Sequence, residues 1–113
     1  RSLVGFDVSK DRVLYRENAQ GRIENVYSLK VMNKDQRDHV YVLEASGLPD
    51  LQLQGRREIR VEAGDIVSLP VQLSVAPEQL PSTTNEVIFT LKDVDDNGTQ
   101  VEAKSRFIGP QIR

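Results

Sequence analysis

Cysteine and tryptophan are both missing from this chain of 113 residues. The lack of cysteine excludes disulfides, thiolate metal sites and cysteine nucleophiles within these residues. Aromatic residues make up 5% of the chain, which is too few for the exposed platforms on which carbohydrates or unpaired bases stack. The single histidine, His39, likewise excludes a metal site with several imidazole ligands.

Long hydrophobic runs and an excess of one charge are absent as well. No apolar run approaches the roughly 20 residues that a transmembrane helix needs, and no signal-peptide pattern opens the chain. The net charge is −2, with 15 basic and 17 acidic residues interspersed, which disfavours nucleic acid as a partner. Because the first residue is Arg1 rather than methionine, we interpret residues 1–113 as a single soluble domain from a longer protein.

What the chain does contain is a period-2 alternation of apolar and polar residues. Residues 23–31 and 67–75 show it most clearly, and it predicts strands with one buried and one solvated face. A polar break at residues 33–38 separates the first of these runs from another β-rich run at 39–45, and this arrangement predicts a long hairpin. Pro70 has no N–H to donate, so we expect it to face an open edge or a bulge rather than a fully paired neighbour.

Further extended segments follow at intervals of about 8–12 residues, the spacing typical of immunoglobulin-like domains. One helical turn, at 77–80, is the only helix expected. The sequence therefore predicts an all-β, immunoglobulin-like antiparallel sandwich of seven to nine strands without a disulfide, and a barrel is the alternative. Two short segments near the start are interpreted as halves of one kinked edge strand. The further segments are residues 4–8, 13–17, 51–53, 58–62, 87–91 and 101–107.

One segment resembles half of a calcium site. Asp93, Asp95, Asn97 and Gly98 match the first part of the loop D-x-[DN]-x-[DN]-G, in which oxygen ligands alternate. Lys104 stands at the twelfth position, where that loop needs a glutamate, and Asn-Gly between two alternating runs is a strong hairpin signal. We predict a hairpin turn, and keep a metal- or ligand-binding sandwich, with calcium at residues 93–98, as the alternative function.

No catalytic constellation stands out in the chain. His39 begins a predicted strand beside Asp38, and we expect a partly exposed, hydrogen-bonded imidazole there; copper at His39 would need carboxylates as its other ligands. Nucleophile elbows and phosphate-binding glycine loops are absent. We therefore predict a non-enzymatic domain with no catalytic residue and no cofactor of its own. Arg56, Arg57 and Arg60 lie on a probable edge strand, where charge deters the addition of further strands.

Several segments together carry a resemblance to a known family. Over essentially its whole length, the chain resembles the C-terminal immunoglobulin-like domain of the FixG/CcoG family, accessory proteins for assembly of the cbb-type cytochrome c oxidase. The most specific segments are Leu-Tyr-Arg-Glu at 14–17 and Arg-Phe-Ile-Gly-Pro at 106–110. The other matching segments are residues 11–12, 21–27, 29–30, 33–35 and 47–49.

The resemblance implies a parent protein in the bacterial inner membrane with ferredoxin-type iron–sulfur clusters. Its cluster cysteines are expected upstream, so no redox residue is transferred onto this chain. The parent is expected to act in electron transport, in the copper chemistry that supplies the oxidase. This domain is then expected on the periplasmic side as a docking or scaffold domain. Its expected partner is a protein: an oxidase subunit, a copper-delivery protein or the parent's own membrane domain.

Five residues in the matching segments are candidates for structural or interaction roles. We expect Tyr15 and Tyr27 to pin the first strand to the sandwich through their hydroxyl groups. Arg16 is expected to pair with a nearby carboxylate, and Phe107 to close the core at the end of the last strand. The five candidates are Tyr15, Arg16, Tyr27, Arg106 and Phe107.

Overall fold

The computed structural model describes residues 3–95 and 99–111, and within them the chain forms nine β-strands and one short 3₁₀ helix. The predicted helical turn is confirmed as Pro77–Gln79. No helix in the described part of the chain is long and apolar enough to cross a bilayer. The strands are β1 (Val4–Lys10), β2 (Arg16–Glu17), β3 (Ile23–Asn33), β4 (His39–Ser46), β5 (Gln52–Gln54), β6 (Glu58–Val61), β7 (Ile66–Val75), β8 (Thr84–Asp93) and β9 (Gln100–Ile108).

The strands form two antiparallel sheets. One sheet has the order β1-β3-β7-β5, with β2 also paired to β3, and the other has the order β6-β4-β8-β9. The prediction of an all-β antiparallel sandwich is therefore confirmed, with the strand number at the upper end of the predicted range. The barrel alternative does not describe these two separate sheets.

The predicted hairpin between β3 and β4 is wrong. β3 pairs with β1 and β7 in one sheet, whereas β4 pairs with β6 and β8 in the other. The polar segment 34–38 therefore carries the chain from one sheet to the other. Alternation reports which face of a strand is buried, but it does not report which strand lies beside it.

The edge of the first sheet agrees better with the sequence. Because β7 occupies one side of β3, β1 and β2 must share the other side, as expected for two halves of one kinked edge strand. β7 is central, but β5 pairs with only its residues 72–74. Pro70 precedes that contact, and among the described residues no strand pairs with it on the side of β7 away from β3, as expected for a residue without an N–H to donate.

The core lies between the two sheets and is built mainly from the inward parity of β3, β4, β6, β7 and β8. It is largely aliphatic, which suits a sandwich held without a disulfide. Tyr27 and Phe89 make an edge-to-face contact at its centre, with ring centroids 5.0 Å apart. The fully buried aliphatic side chains are Leu29, Val31, Leu43, Ile59, Val61, Val71, Leu73, Val75, Val87 and Leu91.

Candidate functional site

The turn between β3 and β4 is organised by the buried side chain of Asn33. Its amide nitrogen donates to the carbonyl oxygens of Arg37, at 2.7 Å, and Val61, at 3.0 Å. Its side-chain oxygen accepts a hydrogen bond from the backbone N–H of Asp35, at 2.9 Å. Because all three partners are backbone groups, these bonds fix the path of the turn. The Asp35 carboxylate is thereby held beside the start of β4.

His39, the first residue of β4, lies against this turn with 4% of its surface exposed. The expectation of a partly exposed imidazole beside Asp38 is wrong, because position 39 shares the inward parity of Tyr41 and the two rings stack at 5.9 Å. The ring Nε2 lies 2.7 Å from Oδ2 of Asp35. Asp38 instead accepts a hydrogen bond from Arg60, at 2.8 Å.

The other ring nitrogen of His39 faces the end of β8. Nδ1 lies 2.7 Å from Oδ2 of Asp93, whose side chain is 7% exposed. The two atoms are close but badly aligned for a ring N–H, so Nδ1 is a buried nitrogen without a hydrogen-bond partner among the described residues. Asp95 is adjacent: one ligand atom each from His39, Asp93 and Asp95 lie within 4.8 Å of one another. We call Asp35, His39, Asp93 and Asp95 the His39 cluster.

The electrostatics of the His39 cluster favour positive charge on or near the imidazole. The hydrogen bond to Asp35, followed by the charge of Asp93, raises the pKa of His39 against the opposing effect of burial. The same hydrogen bond, followed by the backbone N–H of Gln36, lowers the pKa of Asp35. Burial and then the two carboxylates raise the pKa of Tyr41 to about 12. Three carboxylates around one imidazole can therefore hold a proton or a cation.

The calcium candidates are placed as follows. Asp93 and Asp95 belong to the His39 cluster, whereas Asn97 and Gly98 lie outside the described residues. Residues 100–104, which would complete a twelve-residue calcium loop, are in β9, and Lys104 pairs with Ile88 of β8. The β8–β9 pairing confirms the predicted hairpin. Calcium binding by Asp93, Asp95 and Asn97 stays a prediction.

Two of the segments that carry the family resemblance meet between the sheets. Asn25 and Tyr27 of β3 contact Arg106 and Ile108 of β9, and we call these four residues the inter-sheet seam. The Asn25 amide donates to the carbonyl oxygen of Ile108 and its oxygen accepts from the N–H of Ile108, both at 2.8 Å. The Tyr27 hydroxyl donates to the carbonyl oxygen of Arg106 at 2.7 Å, and burial raises the pKa of Tyr27. β3 and β9 belong to different sheets, so these bonds tie the sheets together.

The other candidate structural residues are placed nearby. Tyr27 anchors β9, not the first strand, which corrects that expectation. Phe107 is fully buried at the end of β9, as expected. Arg16 pairs with Glu24 at 2.6 Å, and the Glu24 side chain is only 5% exposed. Tyr15 is 38% exposed. An interaction role for any of them stays a prediction.

The loop between β1 and β2 presents an apolar strip, formed by Val13, Leu14 and Tyr15. Val13 and Leu14 are 61% and 57% exposed. The ammonium group of Lys10 donates to the carbonyl oxygens of Val13, at 2.9 Å, and Leu14, at 2.8 Å. The Val13 N–H donates to the Asp11 carboxylate at 3.2 Å. Polar contacts thus hold the loop in shape while its apolar side chains face solvent.

The basic residues near β6 lie where the sequence suggested. β6 is an outer strand of its sheet, and its residue Arg60 pairs with Asp38. Arg57, just before β6, donates to the carbonyl oxygen of Leu53 at 3.1 Å. Charged side chains on this edge fit the expected protection against added strands.

Sequence reasoning missed the His39 cluster, although the alternation held the signal. His39 has the parity of Tyr41 and Leu43, and Asp93 has the parity of Phe89 and Leu91. Both polar residues therefore continue the inward faces of their strands. What the sequence does not show is that β4 and β8 are neighbours, with Tyr41 opposite Asp93.

Comparisons with known proteins agree with the fold. A family model described as "IG-like fold at C-terminal of FixG, putative oxidoreductase" matches residues 1–110. The crystal structure of a FixG-related protein from Vibrio parahaemolyticus is similar to this chain, with 36% sequence identity and a TM-score of 0.87 over 96% of this chain and 97% of that chain. The comparison with curated proteins gives no match. The chain therefore belongs to the family of immunoglobulin-like domains found at the C-terminus of FixG.

Proposed function

We propose that this chain is a non-catalytic docking or scaffold domain of a FixG-type iron–sulfur membrane protein that takes part in assembly of the cbb-type cytochrome c oxidase. Family membership supports a FixG-type parent protein, since the matched family model describes a fold at the C-terminus of FixG, a "putative oxidoreductase". The chain has no cysteine, so iron–sulfur clusters would be held by other parts of the parent. The proposal puts this domain on the periplasmic side of the bacterial inner membrane.

The observation that carries the docking role is the apolar strip. Val13 and Leu14 expose more than half of their surface, although hydrogen bonds from Lys10 hold their backbone in place. Adjacent apolar side chains that face solvent are typical of protein interaction sites. Because the loop is already ordered, a partner that covers it pays little conformational entropy.

The position of the apolar strip favours a separate protein as its partner. In FixG this fold is C-terminal, so the rest of the parent precedes β1. The Leu3 carbonyl oxygen accepts a hydrogen bond from the Lys34 N–H at 2.8 Å, so the chain enters the sandwich where β3 ends. The strip follows the far end of β1, which has 7 residues and spans about 23 Å. An oxidase subunit or a copper-delivery protein therefore suits the strip better than the parent's membrane domain.

Serine substitutions in the full-length parent test this proposal. Val13→Ser combined with Leu14→Ser is expected to reduce oxidase assembly while the abundance of the parent stays normal, because the strip contributes contact area and little to the core. Ile66→Ser is the matched control, since Ile66 is 48% exposed and lies opposite Met32 near the other end of β3. Deletion of the whole domain should reduce assembly at least as much.

The readouts are oxidase activity in isolated membranes and parent abundance on the same samples. Normal oxidase assembly in the variant with both serine substitutions would contradict the docking role. A fall in parent abundance that accounts for all of the lost assembly would contradict docking too, and would make stabilisation of the parent the role of this domain.

A further inference from the structure

The His39 cluster holds a polar atom that the fold leaves without a hydrogen bond. Only 4% of the His39 surface is exposed, and its Nδ1 atom has no hydrogen-bond partner among the described residues. This nitrogen points to the place where Asp93 and Asp95 bring their carboxylates within 4.8 Å. When the Nε2 proton is donated to Asp35, Nδ1 of the neutral ring has only a lone pair to offer. Nδ1 lies 2.7 Å from a carboxylate oxygen, so it needs a proton or a metal ion beside it, because two lone pairs at that distance repel each other.

We propose that His39 Nδ1, Asp93 and Asp95 form a binding site for a divalent transition-metal ion of the zinc class, with Asp35 orienting the imidazole. Zn²⁺ accepts one imidazole nitrogen together with carboxylate oxygens, and three protein ligands leave a fourth position for water. The site lies at the end of the sandwich and joins the start of β4 to the end of β8. It is independent of the docking role proposed above.

The distance between His39 Nδ1 and the Asp93 carboxylate fits an ion of this size after a small side-chain movement. Zinc–nitrogen and zinc–oxygen bonds of about 2.0–2.2 Å place two ligand atoms about 3.0–3.5 Å apart. Nδ1 and the Asp93 oxygen are 2.7 Å apart, so the Asp93 carboxylate has to withdraw by only about half an ångström. Asp93 Oδ1 is already engaged by the Asp95 N–H at 3.0 Å, which leaves Oδ2 as the ligand atom.

The outer contacts of the imidazole match those of metal-binding histidines. Such a histidine usually donates its second ring N–H to a carboxylate, which fixes the tautomer and the direction of the ring. Here Nε2 lies 2.7 Å from Asp35, and the Asp35 carboxylate also accepts from the Gln36 N–H at 2.7 Å. Asn33 then holds the Asp35 backbone. The nitrogen left over is Nδ1, the one that faces Asp93.

The donor set separates zinc from calcium. Ca²⁺ takes six to eight oxygen ligands, whereas the buried donor in the His39 cluster is a nitrogen. The described carboxylates that converge on Nδ1 are those of Asp93 and Asp95. A zinc-class ion should therefore bind and calcium should not, which also distinguishes this site from the calcium loop considered for residues 93–98.

Titration of the 113-residue chain with ZnCl₂ tests the proposal. The FixG-related crystal structure has almost the same extent as this chain, which supports independent folding. Isothermal calorimetry at pH 7 on chelator-treated protein should show one ion per chain. Because His39 is the only histidine, its imidazole ¹⁵N signals are unambiguous in a two-bond ¹H–¹⁵N spectrum. Zinc should shift the Nδ1 signal while Nε2 stays protonated.

Variants connect any binding to the His39 cluster. Asp93→Asn and Asp95→Asn should each lower the zinc affinity at least about tenfold, and Asp35→Asn by about 10–100-fold, as for other outer carboxylates. Asp7→Asn removes the same charge on exposed β1 and should leave the affinity unchanged. Asp95 is exposed, so its variant remains informative if Asp93→Asn does not fold.

Three results overturn the proposal. The first is an Nδ1 signal that does not move at about 1 mM zinc. The second is a zinc affinity that Asp95→Asn and Asp35→Asn leave unchanged. The third is calcium that binds as tightly as zinc. The first result would leave a proton as the charge beside Nδ1.

Discussion

Removal of the Asn25 side chain should destabilise this domain more than any other single loss of hydrogen bonds in the inter-sheet seam. Asn25 is 1% exposed and makes two hydrogen bonds of 2.8 Å with the backbone of Ile108. Asn25→Ala leaves one donor and one acceptor without partners. Each such buried group costs about 1–3 kcal/mol. Ile108 is only partly buried, so water offsets part of this, and we expect a loss of about 2–4 kcal/mol.

Tyr27→Phe is the natural comparison, because it acts on the same pair of strands with one hydrogen bond. The phenylalanine ring keeps the packing on Phe89 and removes only the 2.7 Å bond to the Arg106 carbonyl oxygen. The expected loss is about 1 kcal/mol. Gln52→Ala, exposed on β5, is the control and should change the free energy of unfolding by less than about 0.5 kcal/mol.

Urea unfolding followed by far-ultraviolet circular dichroism measures these differences. With a slope of about 2 kcal/mol per molar urea, Asn25→Ala should lower the midpoint by about 1–2 M and Tyr27→Phe by about 0.5 M. The slopes must agree for the comparison to hold. If Asn25→Ala lowers the midpoint no more than Tyr27→Phe, then the amide of Asn25 is not the main tie between the sheets and the reasoning is wrong.

Three further predictions concern turns and surface charges. Gly64→Ala should cost about 1–2 kcal/mol, because φ is +73° with no heavy atom within 4 Å of the new Cβ. Gly47→Ala should lower the melting temperature clearly further, since φ is +120° and its Cβ would lie 2.8 Å from a backbone oxygen of β8; equal effects would contradict the close packing there. The Ala76 N–H and then Arg22 lower the pKa of Asp50, so its stabilisation is present above an unfolded pKa of about 3.9 and is lost as pH falls through the lower folded pKa. Asp50→Asn should therefore be less stable than the natural chain at pH 7, with a gap that closes below about pH 4; a gap independent of pH would exclude this linkage. Arg16→Ala should destabilise by about 1 kcal/mol and by more than Glu24→Gln, because it leaves the nearly buried Glu24 carboxylate unpaired; calorimetric unfolding of both variants decides the order.

The strands could be predicted from the sequence because burial in a sandwich alternates along each strand. In β7 and β8 the inward positions are Leu69, Val71 and Leu73, and Val87, Phe89 and Leu91, and the structure buries all of them. Alternation fails as a guide at the start of β3, where Ile23, Glu24 and Asn25 are buried in succession. There β2 and the Arg16 side chain cover the face of Glu24, and Asn25 turns toward β9.

The pairing of strands and the His39 cluster could not be predicted in the same way, because both depend on contacts between distant segments. β3 takes β7 as its neighbour, from Ile23 opposite Val75 to Met32 opposite Ile66. Nothing local to residues 23–45 indicates that partner, so two consecutive strands looked like a hairpin. The contact between His39 and Asp93 is unpredictable for the same reason. Each residue shows inward parity by itself, and only the pairing of β4 with β8 brings the two together.

The two proposals concern opposite ends of the sandwich, and this separation makes them independently testable. The His39 cluster lies where β3 ends and β4 begins, whereas the apolar strip lies near the start of β3, which has 11 residues and spans about 35 Å. Changes at sites farther apart than about 10 Å usually have additive effects. Val13→Ser with Leu14→Ser should therefore leave zinc affinity unchanged, and Asp95→Asn should leave the apolar strip able to bind its partner. If the strip variant weakens zinc binding, or if zinc is required for oxidase assembly through the strip, the two ends are coupled and the domain does not act as a rigid scaffold.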